Sequence, residues 1–108
     1  MKKDKVYLLY IKDCIEAVEK NIVGGKEAFL SNRQIRSATL RELQTLAEST
    51  LQLSEDLQKN HPEIPWKKMR GFRNILVHNY LGIDFELVWT MIQNDLPGLK
   101  KSVEKLIK

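Results

Sequence analysis

The chain reads as an all-α protein, an up-and-down bundle of four to five helices, and three features predict this. Helix formers such as Leu, Lys, Glu and Gln are abundant, while Gly occurs 5 times and Pro 3 times in 108 residues. Apolar residues recur three and four apart over most of the length, the period of helices with one buried face. Chain-breaking residues gather at a few points and leave long stretches uninterrupted. At this length a single domain over residues 1–108 is expected, able to bury roughly two-thirds of its unfolded surface.

The first helix is expected from about Asp4, a plausible N-cap, to Val23, with Leu8, Ile11, Ile15, Val18 and Ile22 on its inner face. Gly24-Gly25 ends it. Lys26 to Leu30 reads as a short lead-in turn. A long helix then starts near Ser31-Asn32 and carries Ile35, Leu40, Leu43, Leu46 and Leu53 among charged residues. Ser54-Glu55-Asp56 caps one further turn, which His61-Pro62 and Ile64-Pro65 stop. Pro65 suits the first position of a third helix running from Trp66 to about Tyr80. Gly82 breaks it, and Asp84 caps a fourth with Phe85, Val88, Trp89 and Ile92. Pro97 is expected to start or kink a last segment, with Leu99, Val103, Leu106 and Ile107 inward and Lys100, Lys101, Lys105 and Lys108 in water.

Bulk properties narrow the function classes. The 18 basic and 14 acidic residues leave a net charge of +4, which permits nucleic-acid binding without demanding it. Cys14 is alone, so no intramolecular disulfide and no thiolate metal site can form, and a reducing compartment is expected. The apolar run Val6 to Ile11 is far shorter than the roughly 20 residues that span a bilayer. A cytoplasmic protein without a membrane partner is the expectation. With His61 and His78 the only histidines and no carboxylate constellation nearby, no catalytic metal is expected. No Gly-rich phosphate loop is present, so no resident cofactor is expected and the chain is not itself a nucleotidyltransferase.

Chemistry concentrates in Arg73-Asn74-Ile75-Leu76-Val77-His78-Asn79-Tyr80. Arg73 offers a planar fork of donors suited to phosphate oxygens. His78 moves protons near neutral pH. Between Trp66 and Ile83 no acidic residue occurs, whereas Lys67, Lys68, Arg70 and Arg73 all do, a local field that favours a polyanion.

Trp66, Gly71, Arg73-Asn74, Val77-His78, Tyr80 and Gly82-Ile83-Asp84, followed by Leu87-Val88-Trp89 and Asp95-Leu96-Pro97, resemble the HepT branch of the HEPN superfamily. The resemblance spans most of the chain, with its specific signal between Trp66 and Pro97. It implies a HEPN-like bundle acting as a homodimer, an endoribonuclease toxin with RNA, whether tRNA or mRNA, and not DNA, as substrate. It further implies a partner, a minimal nucleotidyltransferase antitoxin that silences the toxin by transferring AMP to the motif tyrosine, here Tyr80.

On a regular helix, at about 100° per residue, Arg73 and His78 stand about 140° apart and do not share a face, whereas Asn74 and His78 do. One copy presents both groups only if the helix loosens near His78 or the site lies where two helices diverge. Metal-free RNA cleavage also benefits from one group that removes the 2′-hydroxyl proton and another that protonates the leaving oxygen. Two copies meeting across a twofold axis would bring two His78 and two Arg73 to one cleft. On this reading Arg73 and His78 are catalytic. Asn74, Lys67, Lys68 and Arg70 bind substrate, and Tyr80 is the modification site.

These residues also have plainer readings. Arg73 and His78 can be a surface cation and a locally bonded histidine, Tyr80 an amphipathic plug at a helix end, and Asn74 a tie between helices. Lys67, Lys68 and Arg70 can be a solvated face. Trp66 and Trp89 read as core or dimer packing, and His61 as a residue at a helix end. Two other functions remain open: a non-catalytic helical adaptor for a nucleotidyltransferase, and a structural bundle whose main property is oligomerisation.

Overall fold

The computed structural model describes residues 2–78 and 82–108, which are helical with no strand. The described helices are α1 (Lys2–Asn21), α2 (Gly25–Ser31), α3 (Arg33–Leu51), α4 (Glu55–Asn60), α5 (Trp66–His78) and α6 (Phe85–Ile107). Four are long and form the expected bundle. The two short ones, α2 and α4, sit where a lead-in turn and one capped turn are read from the sequence.

The apolar stripes meet in one core. Leu8, Ile11, Ile15 and Val18 of α1 pack with Leu43 and Leu46 of α3 and with Val88, Ile92, Leu96, Leu99 and Val103 of α6. Each such side chain contributes about 1.5–3 kcal/mol on burial. Phe29 of α2 is fully buried at the centre, and its ring lies 5.5 Å from that of Trp89 and 6.2 Å from that of Phe85. The short segment read as a lead-in is therefore a core element. Gly25 turns the chain into it with φ of 90°, a left-handed conformation natural to glycine.

Caps set three of the helix starts as expected. Asn32 accepts from the Ile35 amide, Ser54 from the Leu57 amide, and Asp84 from the Glu86 and Leu87 amides. Asp4 is not a cap. It is a buried residue within α1, and its carboxylate accepts from the Ser54 amide at 2.8 Å and the Ser54 hydroxyl at 2.7 Å. The start of α1 is thereby tied to the junction of α3 and α4, so α1 and α3 run antiparallel. Burial pushes the Asp4 carboxyl up, but the two Ser54 hydrogen bonds, together with nearby positive charge, outweigh it and hold the group below its ordinary value.

Pro97 does not start a separate segment, because α6 runs through it. Both Pro97 and Gln93, whose carbonyl loses its helical donor, are exposed, so water can satisfy that carbonyl. Buried Ile92 and Leu96 before the proline and Leu99 and Val103 after it anchor both halves to one core. Beyond the proline α6 is tied to α1 by Lys100 and Glu19, at 2.9 Å. No helix among the described residues is long and apolar enough to cross a membrane.

Candidate functional site on helix α5

α5 begins at Trp66, one residue later than expected, because the Pro65 carbonyl accepts the Met69 amide and Pro65 itself stays outside the helix. The Trp66 indole donates to the His61 carbonyl at 2.9 Å while its ring packs on the core. His61 closes α4, its amide on the Gln58 carbonyl and its Nδ1 3.5 Å from Glu63. These contacts fix the entry to α5.

The helix has two distinct sides. Trp66 and Met69 pack against the core and Leu76 is fully buried in it. On the other side Lys67, Arg70, Gly71 and Asn74 are exposed. The spacing 67, 70, 74 and 78 is three, four and four, so these positions form one stripe along the helix. α5 is helical without a break through His78, so the loosening that would let one copy present both groups is not seen up to that residue. Positions 73 and 78 therefore keep their separation of about 140°. The side chain of His78 and the whole of Tyr80 lie outside the described residues.

Arg73 faces α3 and not the stripe. Its Nε donates to Oε1 of Glu48 at 2.9 Å, with the Arg73 side chain 32% and the Glu48 side chain 50% exposed. Four residues earlier on α3, Gln44 donates to the Leu76 carbonyl at 3.4 Å. α3 thus braces α5 at two points, in antiparallel register.

Lys68 points away from the stripe as well and pairs with Asp95 of α6 at 2.7 Å. The acid-free window of the sequence is therefore not acid-free in space, because α3 and α6 deliver a carboxylate each. Glu48 is the residue that sequence reasoning missed. It is 25 residues from Arg73, and its only local signal is a place one helical turn after Gln44.

The remaining candidate chemistry lies elsewhere and is inert or structural. Burial, reinforced by Glu42 and Asp13, pushes the Cys14 thiol up to about 11, so it is protonated at neutral pH and no nucleophile. An apolar cleft between α3, α5 and α6 is lined by Leu43, Leu46, Met69 and Ile92, with Lys68 and Asp95 beside them. It offers packing surface and one ion pair. Among the described residues no three His, Cys, Asp or Glu side chains are grouped to hold a metal ion.

Residues 11–106 match the family described as ribonuclease HepT-like. A protein of Methanocaldococcus jannaschii named as an RNase is 37% identical over 107 residues, covering 95% of this chain and 96% of the relative. A protein of Thermococcus cleftensis named as a ribonuclease HepT is 34% identical over 103 residues, covering 92% of this chain and 94% of its own. One from Caldanaerobacter subterraneus, also named as an RNase, is 28% identical over 109 residues, 100% of this chain and 97% of the relative. No solved structure matches significantly. With a family match over nearly its whole length and relatives of its own size, the chain belongs to the HepT-like ribonuclease family and is, as a member, an RNA-cleaving enzyme.

Proposed function

We propose that the chain is a metal-independent endoribonuclease, the toxin of a type VII toxin–antitoxin pair, with its site built from α5 of two copies in the cytoplasm. The observation that carries this reading is the unbroken register of α5. Arg73 turns toward α3, and the regular helix sets position 78 about 140° around from it, which favours a site shared between two copies. A second copy across a twofold axis would bring the missing group.

In this reading the RNA backbone lies along Lys67, Arg70 and Asn74, with Lys68 contributing less because Asp95 holds it. One His78 takes the 2′-hydroxyl proton as the 2′-oxygen attacks phosphorus. The bond from phosphorus to the 5′-oxygen breaks, and the other His78 protonates that oxygen. Arg73 stabilises the extra negative charge of the phosphorane, an effect of roughly 3–4 kcal/mol for one well-placed donor. The products are a 2′,3′-cyclic phosphate and a 5′-hydroxyl. A nucleotidyltransferase antitoxin transfers AMP from ATP to the Tyr80 hydroxyl with release of pyrophosphate, and the added bulk and charge exclude RNA from the cleft.

The reading is tested by incubating protein shown by mass to carry no AMP with total RNA in the presence of a chelator. Discrete fragments ending in cyclic phosphate are expected. Intact RNA, or fragments with 3′-hydroxyl ends, would contradict it.

A further inference from the structure

We propose that Glu48 is a positioning residue for Arg73, an inference that rests on the ribonuclease reading above. The contact between Nε of Arg73 and Oε1 of Glu48 at 2.9 Å carries it. A helix-surface arginine ordinarily samples many rotamers, and gripping a phosphate with it costs the entropy of stopping that motion. Glu48 stops it in advance. It does so through Nε, the donor nearest the stem, and among the described residues neither terminal nitrogen of the guanidinium is hydrogen-bonded. The planar fork is left for a phosphate.

Glu48 is a rigid support. Its neighbours Leu46, Ala47, Ser49 and Thr50 on α3 are buried, so the carboxylate projects from a backbone that the core holds still. Gln44, one turn earlier, grips the Leu76 carbonyl of the same α5 turn. On its open side Glu48 borders a shallow polar trough with Tyr7, Arg41, Thr45 and Gln52, so its replacement leaves the core intact.

The same carboxylate has an opposing electrostatic effect, since it offsets part of the charge that Arg73 offers to RNA. Both side chains are partly exposed and solvent screens the pair, so the expected changes are modest. Orientation and charge separate kinetically. Losing the acceptor lowers kcat, because the guanidinium must be ordered in the transition state. Losing the negative charge lowers KM, because a polyanion binds more readily.

The test measures kcat, KM and melting temperature for wild type, Glu48→Ala, Glu48→Gln and Arg73→Ala in the RNA-cleavage assay. Glu48→Ala is expected to lower kcat by about 2- to 10-fold, the cost of ordering one long side chain, and to lower KM. Glu48→Gln keeps a carbonyl acceptor for Nε without the charge, so kcat should recover to near the wild-type value while KM stays low. A Gln variant no better than Ala, a kcat that rises in either variant, or a loss of melting temperature with no split between kcat and KM would each overturn the proposal. If wild type cleaves, Arg73→Ala does not, and both Glu48 variants match wild type, the positioning role falls and the ribonuclease reading stands. If AMP-free wild type cleaves nothing, that reading falls and the positioning role with it.

Discussion

α6 buries Val88, Ile92, Leu96, Leu99 and Val103 along its 23 residues, whereas α5 sets Leu76 into the core and leaves Lys67, Arg70, Gly71 and Asn74 exposed along 13. The longer helix holds even a proline in its interior because its apolar residues secure it on both sides of the break. Among the described residues the shorter one adds directed contacts to the packing of Trp66, Met69 and Leu76, the Trp66 indole on His61 and the Glu48 and Gln44 side chains of α3. Burial makes α6 a scaffold, and a site needs the opposite arrangement of polar groups kept in water on a helix that cannot turn. The two helices should therefore answer to mutation in different measurements.

The largest effect on stability belongs to α6. Ile92→Ala should cost about 2–5 kcal/mol in denaturant unfolding, the usual cost of emptying a packed site. A cost below about 1 kcal/mol would mean that α6 is not the scaffold claimed here.

A smaller effect is expected at the clasp that ties the start of α1 to the junction of α3 and α4. Asp4→Ala removes the acceptor of two hydrogen bonds to Ser54 and should cost about 1–3 kcal/mol. Because the folded-state pKa of Asp4 is lowered, its contribution is present above the ordinary carboxylate range and is lost as pH falls through the folded value. Urea midpoints of wild type and variant should converge in acid. A gap that stayed constant would remove the charge from the explanation.

The smallest effect has the opposite sign. Pro97→Ala restores an amide donor to the Gln93 carbonyl and should stabilise the protein by about 1 kcal/mol, part of the roughly 3 kcal/mol usual for proline inside a helix. Calorimetry checks it, and a lower melting temperature would show that the proline ring is built into the packing of α6.

What the sequence made legible follows from how local each feature is. The caps at Asn32, Ser54 and Asp84 and the apolar stripe of α1 depend on residues within a turn or two, and they stand as read. That no new helix starts at Pro97 and that Asp4 is not a cap are decided by tertiary burial, through core anchors on both sides of the one and a partner 50 residues from the other. The candidate site divides the same way. The stripe of Lys67, Arg70 and Asn74 is a matter of helical spacing, whereas the carboxylates of Glu48 and Asp95 reach Arg73 and Lys68 only through the fold. A window without acids in sequence says little about the field in space.

The contrast between the two helices is tested most directly at His78. Wild type and His78→Ala, matched for melting temperature and oligomeric state, are incubated with total RNA in chelator and the initial rates of cleavage compared. The variant should lose about 10²- to 10⁴-fold in rate, the range of general acid–base catalysis, with its stability unchanged. Equal rates from the two proteins would remove His78 from the chemistry and contradict the account.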